Sequence, residues 1–143
     1  MGYHHVDPAT VDPTPDRPSV QRAISETLGL ENVAVNRYEA EPGEAIPLAY
    51  HYHDDQEEVF YVLAGTLVVE TPGERYEVGA DEVFAVEPGS PQYASAAEDV
   101  RGSKAPAGQP EADASGDADR TTEVLAIGAP RVDDVHAYEE GDG

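Results

Sequence analysis

Short apolar runs separated by turn residues dominate the chain from residue 33 onward. They predict strands over residues 33–40, 59–63, 66–70, 75–78, 83–86 and 122–127. The dipeptide Ala64-Gly65 predicts a tight hairpin between two of these strands. Strands of four to eight residues with frequent turns are typical of an antiparallel sandwich or barrel, so the pattern predicts an all-β fold.

Helical periodicity is confined to one short segment near the N-terminus. Apolar residues recur there every four residues, at Val20, Ile24 and Leu28. Ser19 stands where an N-cap would stand, and Gly29 is a stop signal. This pattern predicts one short amphipathic helix.

The remaining segments lack a periodic pattern. Residues 1–18 carry four prolines, so we expect an extended arm that forms, with the helix, an N-terminal unit over 1–32. The predicted β-domain covers 33–129. It is interrupted over 97–120 by a segment rich in Ala, Gly, Pro, Ser and Asp, which we interpret as a flexible acidic insertion. Residues 130–143 are polar and are expected to form an exposed, frayed tail.

The candidate chemistry lies in one run of residues. His51 and His53, two positions apart, point to the same face of a strand. Glu58 follows after a short polar bend, just before an apolar strand. Two imidazoles and one carboxylate can hold a divalent transition metal on one side and leave its other side open. The alternative is that both histidines are solvated partners of nearby acidic residues.

The spacing of this run resembles the first motif of the cupins, in particular the small single-domain type. The matching pattern is His51-x-His53-x4-Glu58-x6-Gly65, and residues 79–92 resemble the second motif. The resemblance implies a double-stranded β-helix, also called a jelly roll or cupin barrel. It also implies that the chain can form a homodimer.

The second motif departs from the family at Gln92, where cupins normally supply a third histidine. An amide oxygen can coordinate a metal but is a weaker donor than imidazole. Three interpretations stay open: Gln92 coordinates, it contacts a water or substrate on the metal, or it packs at the barrel mouth. The ligand set suits iron, manganese, nickel or zinc.

Strand alternation indicates which residues line the barrel. If Glu58 faces inward, Phe60 and Val62 do so too, and we expect them to contact a small-molecule ligand. Arg37 alternates with two valines of the preceding strand. If those valines face inward, Arg37 could pair with a substrate carboxylate. The alternative is a surface ion pair between Arg37 and a neighbouring glutamate.

The composition indicates one acidic domain. The 143 residues carry 30 acidic and 8 basic side chains, for a formal net charge of −22. Such a surface repels nucleic acids and anionic membranes. The acidic residues are spread along the chain, which favours adaptation to a high-salt cytosol over one acidic interaction surface. With no cysteine, no membrane-length apolar stretch and no signal-peptide pattern, we expect a cytoplasmic protein.

The resemblance and the candidate ligands together predict a metal-binding cupin of unassigned activity, for which there are two functional hypotheses. One is a metal-dependent oxygenase, isomerase or lyase that acts on a small molecule in the barrel. The other is a non-catalytic module that binds a metal or small molecule. The open metal site favours the enzyme, whereas the missing histidine and the lack of an evident general acid or base beyond the ligands favour the binding module.

Overall fold

The structure is a computed structural model that describes residues 2–47, 50–98, 121–131 and 134–138. Its strands are β1 (Val20–Ala23), β2 (Ala34–Ala40), β3 (His51–His53), β4 (Glu57–Ala64), β5 (Thr66–Glu70), β6 (Arg75–Gly79), β7 (Val83–Val86), β8 (Tyr93–Ala96), β9 (Thr122–Ala129) and β10 (Val135–Ala137). One short helix, α1 (Ile24–Leu28), and a 3₁₀ turn, Pro8–Thr10, complete the regular elements of the described ranges. None of the described helices has the length and apolar character needed to cross a membrane.

The strands form three antiparallel groups. A five-stranded sheet has the order β1-β2-β9-β4-β7, and a three-stranded sheet has the order β6-β5-β8. The third group is a two-stranded ribbon of β10 and β3. An isolated antiparallel bridge pairs His51 of β3 with Gln92, the residue just before β8. The predicted all-β architecture is confirmed.

The core lies between the two larger sheets, and strand alternation builds it. In β4, Phe60 and Val62 are buried while Tyr61 and Leu63 are exposed, as the sequence predicts. The same alternation buries every second residue of β9. Side chains from both sheets meet in one cluster, so the strands are held mainly by apolar burial.

The predicted hairpin at Ala64-Gly65 is wrong. β4 belongs to the five-stranded sheet and β5 to the three-stranded sheet, so Gly65 lies where the chain crosses between them. Its φ is +78°, and a Cβ there would lie 2.5 Å from Thr122 Oγ1 and 2.8 Å from the Thr121 carbonyl oxygen. Only glycine fits a corner with this backbone angle and this close a neighbouring strand.

The predicted N-terminal helix is only half correct. Its first residues form β1, which pairs with β2, and α1 is five residues long. Arg22 makes an ion pair with Glu39 across the two strands, at 2.9 Å. Such cross-strand partners are distant in sequence and outweigh the local helical pattern. The predicted stop is confirmed, because Gly29 ends α1 with a φ of 73°.

The predicted frayed tail is wrong for residues 134–138. Val135 pairs with His53 and Ala137 with His51, so β10 covers the strand that carries both histidines. The side chains of β10 are exposed, as expected, but its backbone is anchored. The predicted insertion over 97–120 lies outside the described residues from residue 99 onward.

Candidate metal centre and ligand cavity

A cavity of about 430 Å³ lies between the inner face of the five-stranded sheet and the ribbon of β3 and β10. This volume is in the range of small-molecule binding sites. Its lining includes apolar residues, namely Ala34, Ile46, Pro47, Phe60, Ala126, Val135 and Ala137. Polar and charged side chains also reach it, namely Arg17, Gln21, Asn36, Tyr38, His51, His53, Gln56, Glu58 and Gln92.

Three side chains with metal-binding chemistry meet at this cavity. His51, His53 and Glu58, called the ligand cluster below, place one potential ligand atom each within 4.8 Å of one another. The pleat of β3 directs both imidazoles to one face, and β4 brings the carboxylate beside them. His53 Nε2 lies 3.7 Å from Glu58 Oε1. The structure therefore brings together the three residues that the sequence singles out.

The carboxylate of this cluster is buried at an electrostatic cost. Burial raises the pKa of Glu58; His53 opposes the shift and Asp134 adds to it. A buried carboxylate is stabilised by a positive charge at contact distance. A divalent cation in the cluster would supply that charge.

Gln92 lies against the same atoms. Its Nε2 is 3.3 Å from His51 Nε2 and 3.2 Å from Glu58 Oε1. Its Oε1 is buried and has no hydrogen-bond partner among the described residues. In this arrangement the amide donates to lone pairs that a metal would need. Rotation of the amide by about 180° exchanges the two atoms and presents the oxygen as a further ligand.

Asp134 orients one of the imidazoles. Its Oδ1 lies 2.9 Å from His53 Nδ1, and its Oδ2 accepts hydrogen bonds from the backbone N–H groups of Asp55 and Gln56. Burial alone would raise the pKa of Asp134, but the N–H of Asp55, the His53 ring and the N–H of Gln56 together hold the pKa below its ordinary value. An ionised Asp134 keeps the imidazole proton on Nδ1 and leaves the Nε2 lone pair for a metal.

Sequence reasoning missed Asp134 because it lies in the segment predicted to fray. It is 81 residues from His53, and no local pattern relates the two. Only the pairing of β10 with β3 brings them together.

The opposite wall carries a buried hydroxyl group. Tyr38 lies on the inner face of β2, and its hydroxyl oxygen accepts a hydrogen bond of 2.7 Å from Gln21 Nε2. Burial raises the pKa of Tyr38; the Gln21 hydrogen bond and the Arg17 charge oppose the shift, and Glu58 adds to it. The hydroxyl is therefore neutral at ordinary pH and still carries a proton that it can donate.

Two of the three predicted substrate contacts do not line the cavity. Phe60 lines it, whereas Val62 is fully buried in the core. Arg37 lies on the outer face of β2 and pairs with Glu123 and Glu39, which is the surface alternative considered above. The charges at Arg37 and Glu39, two positions apart, could have marked this face as the outer one.

The family comparison agrees with the motif. Residues 36–102 match the Cupin_2 family model, which describes a cupin domain. This segment contains the ligand cluster and Gln92. Residues 36–102 thus carry a cupin domain, and the resemblance inferred from the motif is confirmed for this segment. A search of curated proteins found no match.

Solved structures show the same fold. The polyketide cyclase RemF from Streptomyces resistomycificus has a TM-score of 0.68 at 18% identity, over 99% of this chain and 89% of the cyclase. A cupin protein from Bacteroides fragilis has a TM-score of 0.61 at 19% identity, over 100% of this chain and 96% of that protein. A candidate sugar phosphate isomerase from Acidithiobacillus ferrooxidans has a TM-score of 0.59 at 21% identity. That match covers 82% of this chain, which spans only 64% of the isomerase. At these identities the likeness concerns the fold.

Proposed function

We propose that this chain is a metal-dependent cupin enzyme that acts on a small molecule in its cavity. The observation that carries this proposal is that the ligand cluster and the buried Tyr38 line the same cavity. Two proteins of similar fold are described as a polyketide cyclase and a candidate sugar phosphate isomerase, so the fold supports chemistry on small molecules.

His51, His53 and Glu58 would hold the metal, with iron, manganese, nickel and zinc as the candidates. The side chain of Gln92 is close enough to add an amide oxygen after rotation. A divalent cation at this place would supply Lewis acidity to an oxygen atom of the bound molecule.

Tyr38 supplies the proton-transfer group that the sequence did not reveal. Gln21 fixes its hydroxyl oxygen as an acceptor, so the hydroxyl hydrogen is directed elsewhere. Buried apolar side chains, among them Phe60 and Ala126, also line this cavity. A positioned, neutral hydroxyl is suited to donate a proton to a substrate oxygen, which favours an isomerase or a lyase over an oxygenase.

The second candidate function is a non-catalytic binding module that uses the same cavity. The observation that favours it is the neutral Gln92 at the position of the family's third histidine. In such a module Tyr38 would contribute a hydrogen bond to the ligand rather than a proton to a reaction. The two functions therefore differ in whether a bound ligand is converted.

The metal is tested first, on protein purified without chelator. His51→Ala and His53→Ala should each lose most bound metal, measured by mass spectrometry of the element content, with unchanged circular dichroism. His136→Ala is the matched control, because His136 pairs with Asp54 outside the cavity. Unchanged metal stoichiometry in both test variants would overturn the metal centre.

Catalysis is tested next, with a small-molecule library incubated with the metal-loaded protein. Ligands that bind are followed by NMR for chemical conversion. An enzyme converts one of them, and Tyr38→Phe slows conversion at least tenfold while binding changes little. A ligand that binds tightly and stays unchanged for hours supports the binding module instead.

A further inference from the structure

Arg17 is a cavity residue that neither the metal centre nor the fold explains. It precedes β1, in the segment predicted as an extended arm, and its side chain lines the same cavity as the ligand cluster. Within the described ranges, Arg22, Arg37 and Arg75 each pair with a glutamate. Arg17 has no such carboxylate partner there, although the chain carries 30 acidic residues against 8 basic ones.

The guanidinium group is held in place but its donors are not all used. Nη2 donates a hydrogen bond of 3.2 Å to the carbonyl oxygen of Ile46. The guanidinium carbon lies 6.0 Å from the centre of the Tyr38 ring, at the limit of a cation–π contact. Nε is buried and has no partner among the residues that the structure describes. An unpaired buried N–H is unfavourable, so a ligand acceptor would satisfy it.

Tyr38 relates this arginine to the ligand cluster. The tyrosine ring contacts Arg17, and the charges of both Arg17 and Glu58 are close enough to act on its hydroxyl group. Arg17 and the cluster therefore line one continuous cavity with Tyr38 as a shared neighbour. A single small molecule can contact all three.

From this arrangement we infer that the ligand of the cavity carries a carboxylate group, which pairs with Arg17 while the rest of the molecule extends towards the ligand cluster. The planar guanidinium fork matches a carboxylate in shape and charge. A phosphate dianion is less suited, because Arg17 is the only arginine or lysine among the described lining residues and the chain has a net charge of −22. Apolar walls such as Phe60 and Ile46 suit a carbon skeleton.

This inference rests on the proposed function only because both use the same cavity. The test is designed so that failure of the inference and failure of the proposed function give different results. The probes are benzoate, its neutral counterpart benzamide, and phenyl phosphate. Binding is measured by calorimetry on the full chain, both metal-loaded and metal-stripped, at one fixed potassium chloride concentration. In the stripped protein the carboxylate cannot bind a metal, so the result reports on Arg17 even if the metal centre does not exist.

Benzoate should bind the stripped protein, and Arg17→Gln should weaken it about tenfold or more, as expected for a lost charge-assisted hydrogen bond. Benzamide should bind weakly and equally to both proteins. The control Arg75→Gln makes the same change in net charge at an exposed ion pair and should leave benzoate affinity unchanged. Arg17→Lys keeps the charge without the fork, so its affinity should lie between those of the wild type and Arg17→Gln.

Three results would overturn the inference. The first is equal benzoate affinity in the wild type and Arg17→Gln, which would mean that Arg17 only donates its hydrogen bond to Ile46 and binds no ligand. The second is binding of benzamide as tight as that of benzoate, because no charge would then be recognised. The third is tighter, Arg17-dependent binding of phenyl phosphate, which would assign a phosphate to the site. If Arg17→Gln does not fold, Arg17→Lys replaces it in the test. The inference is then overturned if Arg17→Lys binds benzoate as tightly as the wild type does and also binds benzamide as tightly as the wild type does.

Discussion

Asp134→Asn changes one atom beside the ligand cluster, and the structure predicts how the site responds. Asp134 Oδ2 accepts two backbone hydrogen bonds, of 2.6 and 3.0 Å, while Oδ1 faces His53 Nδ1 at 2.9 Å. Asparagine has only one oxygen. That oxygen should stay with the two backbone donors, which turns the NH₂ group towards His53.

This NH₂ group makes His53 Nδ1 an acceptor and moves the imidazole proton to Nε2. Nε2 is the nitrogen that lies near Glu58, where a metal needs a lone pair. To bind metal, His53 must carry its proton on Nδ1. The variant then either turns its amide oxygen to Nδ1 and loses the two backbone hydrogen bonds, or leaves its NH₂ group against the Nδ1 proton. Each costs about 1 kcal/mol or more. We therefore expect metal affinity to fall about 10- to 100-fold, or roughly 1.4 to 2.7 kcal/mol.

Competition with a chromophoric chelator measures the zinc affinity, and NMR of ¹⁵N-labelled imidazoles reports the tautomer. Asp54→Asn is the matched control, because Asp54 pairs with the exposed His136 and not with the ligand cluster. Its zinc affinity should equal that of the wild type. Equal affinities and an unchanged His53 tautomer in Asp134→Asn would refute the orienting role of this carboxylate.

Four further predictions concern other parts of the molecule. Gln92→His should raise zinc affinity clearly and manganese affinity little, because imidazole is the better donor for zinc; no change in either would mean that Gln92 only packs. Gly65→Ala should lower the free energy of unfolding by about 2–4 kcal/mol, measured by denaturant titration, because of its positive φ and the close contact with Thr122. The control Gly73→Ala, with no atom within 4 Å of the added Cβ, should change it little. Burial raises the pKa of Tyr38 in the folded state, so its neutral form stabilises the fold below pH about 10, and this stability is lost as the pH rises through the pKa of the folded state. Above that pH the wild type should lose stability relative to Tyr38→Phe. Parallel curves of unfolding free energy against pH for the two proteins would contradict this. The melting temperature should rise from low to molar potassium chloride, because salt screens the −22 charge; a constant value would leave the acidic composition needing another explanation.

Features that depend on neighbours in sequence were predictable. The alternation in β4 predicts that Glu58, Phe60 and Val62 share a face, because side chains in any strand point to alternate sides. The spacing of His51 and His53 follows the same rule. The convergence of the ligand cluster is therefore a consequence of two short local patterns and one bend between them.

Features that depend on pairing between distant segments were not predictable. The residues of β1 carry a helical pattern, yet they pair with β2, where Arg22 finds Glu39. Gly65 carries a hairpin signal, yet the contact that requires glycine there comes from Thr122, more than fifty residues away in sequence. Propensity is a weak local preference, and in both cases contacts between strands decide the outcome.

The residues that would give this chain its own specificity lie outside the segment that matches the cupin family model. The match over residues 36–102 includes the ligand cluster, Gln92 and Tyr38, which are the residues proposed to hold a metal and donate a proton. Arg17 precedes that segment and Asp134 follows it. Arg17 is placed at the cavity by its hydrogen bond to Ile46, and Asp134 by the pairing of β10 with β3. Under the proposed function the shared segment would supply the reactivity, while Arg17 would recognise the ligand and Asp134 would orient His53. Relatives that share the motif but differ in their terminal segments are accordingly expected to bind other molecules, and the benzoate and zinc titrations of Arg17 and Asp134 variants measure these two contributions separately.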